Sequence, residues 1–363
     1  MAHNPWRGWI NGLALAAAAS WSGWLVQAAQ NPPASESWTF VASGDARDCG
    51  GIVMPAIAQT AREHKAAFYW HLGDLRRISG QDEDIRNRPD NLLAPLSQQK
   101  YHDTAWQDFI DNAMAPFGSL PFFMGIGNHD IYPPKTRDEF ISTFKQWLDA
   151  PVLKAQRQKD DQADFRTRSY YHWIDRGIAF FFLDNASIDM FDDAQLSWFA
   201  RVLSRDVADR TVTAIVAGMH KPLPDGYNLH SMNESVRSTE TGRRVYADLL
   251  QAQKAGKHVY VLASHQHLYM ADAYDTPYWK ERGGVLPGWV MGTAGAPRYA
   301  LPVPSPKDAQ TNVYGSLLAT VRPGGEIKFE FKKIDESAIP PAVTARYGKE
   351  LVKWCFDKNS LVP

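Results

Sequence analysis

Five largely apolar runs in this chain end alike: a Gly or Ser follows the run, and an Asp, Asn or His stands one or two positions later. The runs are Trp38–Ser43 before Gly44-Asp45, residues 67–72 before Gly73-Asp74, residues 122–126 before Gly127-Asn128-His129-Asp130, residues 212–216 before Gly218-Met219-His220, and His258–Ala263 before Ser264-His265-Gln266-His267. Short apolar runs bounded by turn formers read as strands buried on both faces. Stretches with helical spacing lie between them, at 54–65, 101–114, 192–203 and 246–254. This alternation predicts an α/β fold, and in such folds ligand sites gather beyond the carboxyl ends of the strands. The recurring polar residue therefore falls on the side where chemistry is built.

Two consecutive strands are expected at 170–174 and 178–183 around Asp175-Arg176-Gly177, a short strand at 290–292, and a late hairpin, 315–321 with 327–331, turned at Pro323-Gly324-Gly325. The polar segment 79–99, with Pro89 and Pro95, reads as an insertion or long loop. No internal repeat or linker of consistent composition interrupts 34–363, which reads as one domain. Ahead of it, Arg7 precedes an uncharged run over residues 10–26, and Val26-Gln27-Ala28 offers compact residues where a signal peptidase cuts. A signal peptide over 1–29 is expected, removed after Ala28 or Ala29; an uncleaved anchor is the alternative. Both place the remainder outside the cytoplasm, periplasmic or secreted. The chain has only Cys49 and Cys355, which in an oxidising compartment invite a bridge from near the start of the fold to its last strand or tail, with two separate buried thiols as the alternative.

Charge removes one class of partner. Across 363 residues, 39 Lys and Arg face 40 Asp and Glu, so no overall basic field holds a nucleic-acid backbone. A hydrophobic share of 44% fits a folded body and excludes disordered or collagen-like chains. Among the aromatics, Tyr278, Trp279 and Trp289 read first as core or rim groups and second as stacking surfaces for a base or sugar.

Asp45, Asp74, Asn128, His220, His265 and His267 together offer carboxylates, an amide oxygen and imidazoles. That mixture suits Mn, Fe or Zn, whereas Ca would want oxygen alone. His265-x-His267 can send one imidazole to each of two metals, and Asp74 can bridge them.

These blocks, in this order over roughly residues 38–297, resemble the calcineurin-like metallophosphoesterases, including their purple acid phosphatase branch. The matching blocks are Gly44-Asp45-Ala46-Arg47, Gly73-Asp74-Leu75-Arg76-Arg77, Gly127-Asn128-His129-Asp130, Gly218-Met219-His220-Lys221-Pro222 and Ser264-His265-Gln266-His267, with Leu183-Asp184-Asn185 and Gln195-Leu196-Ser197-Trp198 before the isolated His. The resemblance implies an αββα sandwich of two mixed sheets flanked by helices, with a centre for two metal ions at the strand ends. One ion would take Asp45, Asp74 and His267, the other Asp74, Asn128, His220 and His265. It further implies water activated by the metals for in-line attack on a phosphate ester, His129 as general acid, and Asp130 or another carboxylate holding the His129 ring.

The chain departs from the pattern where the first metal usually gains a further ligand, a His two residues after the first Asp or a Tyr three after the second. Arg47 and Arg77 stand there. Guanidinium does not coordinate cations, so both become candidate phosphate-binding groups, with a salt bridge from Arg47 to Asp48 or another acid as the alternative. Ser264 replaces a Gly, which requires only that the backbone avoid positive φ there. The expected activity is an exported metal-dependent hydrolase of small phosphate mono- or diesters. Its alternatives are a catalytically weak protein that binds a phosphorylated ligand, and a nucleotide phosphodiesterase. The segments 79–99, 225–239 and 272–288 are expected as specificity walls.

Overall fold

The computed structural model describes residues 36–187, 191–227 and 230–361; the expected signal segment 1–29 lies outside them. Two mixed sheets form the centre. The first has the order β11-β10-β1-β2-β3, from β1 (Trp38–Ser43), β2 (Tyr69–His71), β3 (Phe122–Met124), β10 (Tyr314–Val321) and β11 (Ile327–Ile334). The second has the order β4-β5-β6-β7-β9-β8, from β4 (Tyr171–Asp175), β5 (Ile178–Leu183), β6 (Ala214–Met219), β7 (His258–Ala263), β8 (Tyr269–Met270) and β9 (Gly288–Met291). β1, β2 and β3 run parallel with Ser43, His71 and Met124 level, and β6 and β7 run parallel with Met219 and Ala263 level. Each sheet thus releases its functional loops at one height.

The aromatics meet between the sheets. Phe40 and Phe68 of one layer meet Phe180 of the other edge-on at 5.4 and 5.3 Å, and Trp70 meets Trp173 at 5.3 Å. Each fully buried ring of this size contributes about 2–3 kcal/mol of transfer free energy. The apolar faces of helices Asp193–Ala208 and Val236–Lys254 join a second buried cluster with β5, β6 and β7. The helix Gly50–Glu63 lines the first sheet with Ile52, Val53 and Ile57 buried.

Several local expectations shift. The insertion 79–99 folds as short helices Glu83–Arg86 and Pro89–Leu93, and the next helix begins at Gln98, where Ser97 accepts from Lys100 N and caps it. That helix ends at Phe109 and passes into a wider turn over Ile110–Met114. Asp192 caps the helix expected at 192–203 by accepting from Gln195 N at 2.7 Å, and the helix runs on to Ala208. Cys49 and Cys355 are bridged across 306 residues, with Cα atoms 6.1 Å apart. Cys355 lies on the helix Lys349–Asp357, in the tail that follows the last strand. Trp279 is buried against Tyr246, with ring centroids 3.5 Å apart, and Trp289 packs on Phe329 at 4.2 Å, so both serve the core. The Tyr278 ring lies against the guanidinium groups of Arg243 and Arg282, at 4.8 and 3.9 Å.

A buried ion cluster lies away from the strand-end loops. His172 reaches Asp160 at 3.0 Å and Asp206 at 2.7 Å. Burial alone lowers an imidazole's affinity for protons, but here Asp206 and Asp160 win and lift His172 from 6.5 to about 9. A group raised on folding stabilises fully below its unfolded value and loses that contribution as pH climbs through its folded value. Urea unfolding should therefore show stability falling between pH 6.5 and 9, by on the order of 2–3 kcal/mol. An NMR titration of the His172 ring should report a midpoint well above 6.5; a midpoint at or below that value contradicts the cluster. The bridge makes a second prediction: reduction should lower the unfolding free energy by about 2–5 kcal/mol, and unreduced protein should take up no thiol label.

Candidate metal centre

The loops leaving the two sheets turn sharply as soon as their strands end. Asp45 and Asp74 adopt φ of 62° and 57°, and His265 does the same across the cleft at 67°. Left-handed conformations outside Gly cost energy and persist where their surroundings over-determine them. Here Asp45 N donates to Gly73 O at 3.0 Å and Ala46 N to Asp74 O at 2.9 Å, locking the first two loops together. His265 N donates to Asp45 Oδ2 at 2.6 Å, joining the second sheet's loop to the first. Two glycines permit this closeness: a Cβ on Gly127 would stand 2.2 Å from Asp74 Oδ1, and one on Gly292 would stand 2.3 Å from Gln266 O. Ser264 avoids positive φ, and its hydroxyl donates to Leu72 O at 2.9 Å.

Asp74, Asn128, His220 and His265 converge. His220 Nε2 lies 3.0 Å from Asn128 Oδ1, 3.0 Å from His265 Nδ1 and 3.4 Å from Asp74 Oδ1. On its other side, His220 Nδ1 lies 3.1 Å from the Leu72 carbonyl, which only accepts, so the ring proton belongs on Nδ1 and Nε2 turns a lone pair inward. Asn185 brackets the next residue, donating to Lys221 O and accepting from Lys221 N, and so fixes the loop carrying His220. Lone pairs 3.0–3.4 Å apart match the edge of a coordination shell with bonds of about 2.0–2.2 Å. Among the described residues, Asp74, His220 and His265 are the group of acidic and imidazole ligands whose donor atoms all lie within 4.8 Å of one another. The chemistry of this donor set fits one metal ion.

Asp45, His267 and Arg47 form the other half. His267 Nδ1 reaches Pro297 O at 2.6 Å, which leaves Nε2 facing Asp45 Oδ1 at 3.2 Å. Between these groups and Asp74 stands the buried Arg47 guanidinium. Its Nη2 is 3.0 Å from His267 Nε2, its Nη1 2.6 Å from His129 Nε2, and its Nε 3.5 Å from Asp74 Oδ2. A second metal ion does not fit beside Asp45 and His267 with the guanidinium there. Arg77 takes no part in this cluster: it is partly exposed and pairs with Asp48 at 3.4 Å.

Asp130 departs from expectation. Its carboxylate accepts from the backbone N–H groups of Asp74, Leu75 and Gly127 at 2.8–2.9 Å and is aimed at the loop, not at the His129 ring. It positions Asp74. The His129 ring instead takes a hydrogen bond from Arg47 on Nε2, so its proton sits on Nδ1, 3.5 Å from Ser79 Oγ. Burial and then Arg47 hold the His129 ring neutral, at about 3, against the pull of Asp74.

The electrostatics follow from burial. Burial opposes the charge on Asp74, yet the Arg47 guanidinium and the His129 backbone N–H help keep its carboxylate below the usual range. Asp45, where burial dominates, is pushed up to about 7. His265 and His267 are held well below 6.5, first by burial, and so present neutral, metal-competent rings.

Tyr299 and the insertion carboxylates were not legible as site residues. The Tyr299 ring lies 4.0 Å from that of His267 and its phenol interacts with Arg47. Its signal was the small-residue run 292–297 that follows β9. Asp82 accepts from Asp48 N at 2.6 Å and Asp84 from Gly51 N at 2.6 Å, so the insertion braces the Arg47 loop from beneath.

No family model matches the chain, and no curated protein does. Solved structures do. A purple acid phosphatase from yellow lupin seeds aligns at TM-score 0.55 and 17% identity over 83% of this chain and 52% of its own, so this chain spans about half the lupin protein. PhoD aligns at TM-score 0.53 and 15% identity over 84% of this chain and 73% of its own. A dimetal phosphatase from Danio rerio aligns at TM-score 0.48 and 13% identity over 80% and 98%. Sheet order, the gathering of polar loops at one end of the strands and the first two of these likenesses agree on one fold, that of the calcineurin-like metallophosphoesterases.

Proposed function

We propose that this chain is an exported, metal-dependent hydrolase of small phosphate esters. The observation that carries the reading is the convergence of Asp74, Asn128, His220 and His265, with inward-facing lone pairs 3.0–3.4 Å apart at the mouth of the strand-end cleft. A bound divalent or trivalent cation, Mn, Fe or Zn by its ligands, supplies Lewis-acid polarisation of phosphoryl oxygens and activation of water. The chain's own residues do the rest. Arg47 presents a guanidinium suited to phosphate oxygens. His129, half-buried at the rim with its backbone N–H donated to Asp74 Oδ1 at 2.9 Å, is the proposed general acid at the leaving oxygen, a role that requires bound phosphate to draw Arg47 from Nε2 so that the ring takes up a proton. Asp130 is a positioning residue for Asp74, and Arg77 lies outside this proposal. Trp279 is buried against Tyr246 and the half-buried Trp289 packs on Phe329, so both rings are engaged in packing and a simple phosphate ester is preferred to a nucleotide.

Export has its own support. Beyond the leader-like residues 1–29, the bridge Cys49–Cys355 fits an oxidising compartment, and no helix among the described residues is long and apolar enough to cross a membrane. The intact mass of exported protein should correspond to a chain beginning at residue 29 or 30; a mature chain beginning at Met1 contradicts a cleaved leader.

Chelation should abolish hydrolysis of a generic phosphomonoester, and Mn, Fe or Zn should restore it. Full turnover by metal-free protein contradicts the proposal, whereas bound metal without turnover on mono- or diesters favours a phosphate-recognition protein. His129→Ala should keep its metal and lose about 100- to 10,000-fold in kcat, as expected for a lost general acid. Asp130→Asn replaces one of the two oxygens that accept from three backbone N–H groups by an amide donor. It should lower stability by about 1–3 kcal/mol and weaken metal retention, while a pure loss of kcat at full metal content would return Asp130 to the chemistry.

A further inference from the structure

Resting on the proposed reading as a metal-dependent phosphoesterase, we infer that this centre works with one metal ion, held by Asp74, Asn128, His220 and His265, and that the Arg47 guanidinium is its second, permanent cation.

The Arg47 side chain is placed rather than free. The loop that carries it is pinned on both sides: Ala46 N donates to Asp74 O, Asp48 N donates to Asp82 Oδ1, and Cys49 is tied by the bridge to Cys355. Asp48 turns through φ of 66°, which carries the chain away from the cleft and leaves Arg47 pointing in. The residue is 6% exposed, and each guanidinium nitrogen meets a different site group: His267 at 3.0 Å, His129 at 2.6 Å and Asp74 at 3.5 Å. Two of those groups, His267 and Asp74, are ligands that the two-metal pattern assigns to the first ion.

Charge and donor chemistry agree. Among the described residues, Asp45 and Asp74 are the carboxylates that contact both the imidazoles and Arg47 or its neighbours, while Asp48 pairs with Arg77 and Asp130 is turned to backbone N–H groups. One guanidinium and one divalent ion already exceed their combined negative charge, and a second divalent ion in contact with a buried guanidinium would add strong repulsion in a site of low dielectric. The position that would supply a His ligand to the first ion holds Arg47 itself. Guanidinium keeps its charge at any accessible pH and offers a planar fork matched to two phosphate oxygens. A phosphate ester would therefore lie between one metal ion and the Arg47 fork, with Tyr299, which interacts with Arg47, at the edge of the same contact.

The test is metal stoichiometry, read without assaying turnover. The full-length exported protein is loaded with excess Mn²⁺, freed of unbound ion by gel filtration, and examined by elemental analysis and electron paramagnetic resonance. The expected result is one Mn per chain with an uncoupled mononuclear signal. Arg47→His, which trades the guanidinium for an imidazole ligand, should take up a second Mn and show a spin-coupled pair. Arg47→Met, which keeps the aliphatic stem, serves where the His variant does not fold; it should retain the Mn in the Asp74, His220 and His265 cage while binding of inorganic phosphate weakens by about tenfold or more. Two coupled Mn ions in the wild-type protein would overturn this inference and leave the phosphoesterase reading standing. Wild-type protein that holds no Mn, Fe or Zn would overturn both, and unchanged phosphate binding in Arg47→Met would remove the guanidinium from ligand recognition.

Discussion

Asp74 is a fully buried carboxylate that stays charged, and most of the site is arranged around that fact. Taking an isolated carboxylate out of water costs several kcal/mol even after relaxation. The Arg47 guanidinium 3.5 Å from Oδ2 and the His129 backbone N–H 2.9 Å from Oδ1 offset this, and its proton affinity lies below the ordinary carboxylate range. Its two oxygens divide the work: Oδ1 takes the His129 N–H and faces His220, while Oδ2 faces Arg47. One side chain thus links the imidazole cage to the guanidinium, and the loops of both sheets are referenced to it.

The surrounding structure makes that arrangement stiff. Asp130 gathers three backbone N–H groups of the Asp74 and Gly127 turns under one carboxylate. Asp82 and Asp84, supplied by the insertion, hold the Arg47 loop and the start of the next helix. The chain end closes the opposite flank, where Asn359 O accepts from Arg298 N and Asn359 Nδ2 donates to Gly295 O, beside the Pro297 carbonyl that orients His267. The carboxylates in these supports are buried, so each is costly without its hydrogen-bond partners in place.

Strand-end chemistry was readable because it has a local signature: an apolar run, a small residue that lets the backbone turn, and a polar residue delivered at the level where parallel strands stop. Asp45, Asp74, Asn128, His220, His265 and His267 come together for that reason, as do the two layers of the fold. What sequence could not supply was side-chain direction. Asp130 follows His129 in the chain yet faces the backbone of a different loop, and Arg77, in a position equivalent by pattern to a ligand, turns to Asp48. The supports from 79–99 and the C-terminal helix were hidden because they act across the fold, through contacts set by tertiary closure and not by neighbours in the chain. Arg47 was the informative exception: a residue of the wrong chemistry at a ligand position pointed to its place in the site before its contacts were known.

The central claim is that the cleft holds one metal ion in the imidazole cage with a guanidinium where a second ion would sit. Anomalous diffraction at the manganese edge from crystals of Mn²⁺-loaded protein measures this directly. The account predicts one anomalous peak within bonding distance of Asp74, Asn128, His220 and His265, with Arg47 still seated against His267. A second peak of comparable height between Asp45 and His267, with Arg47 displaced, would contradict it.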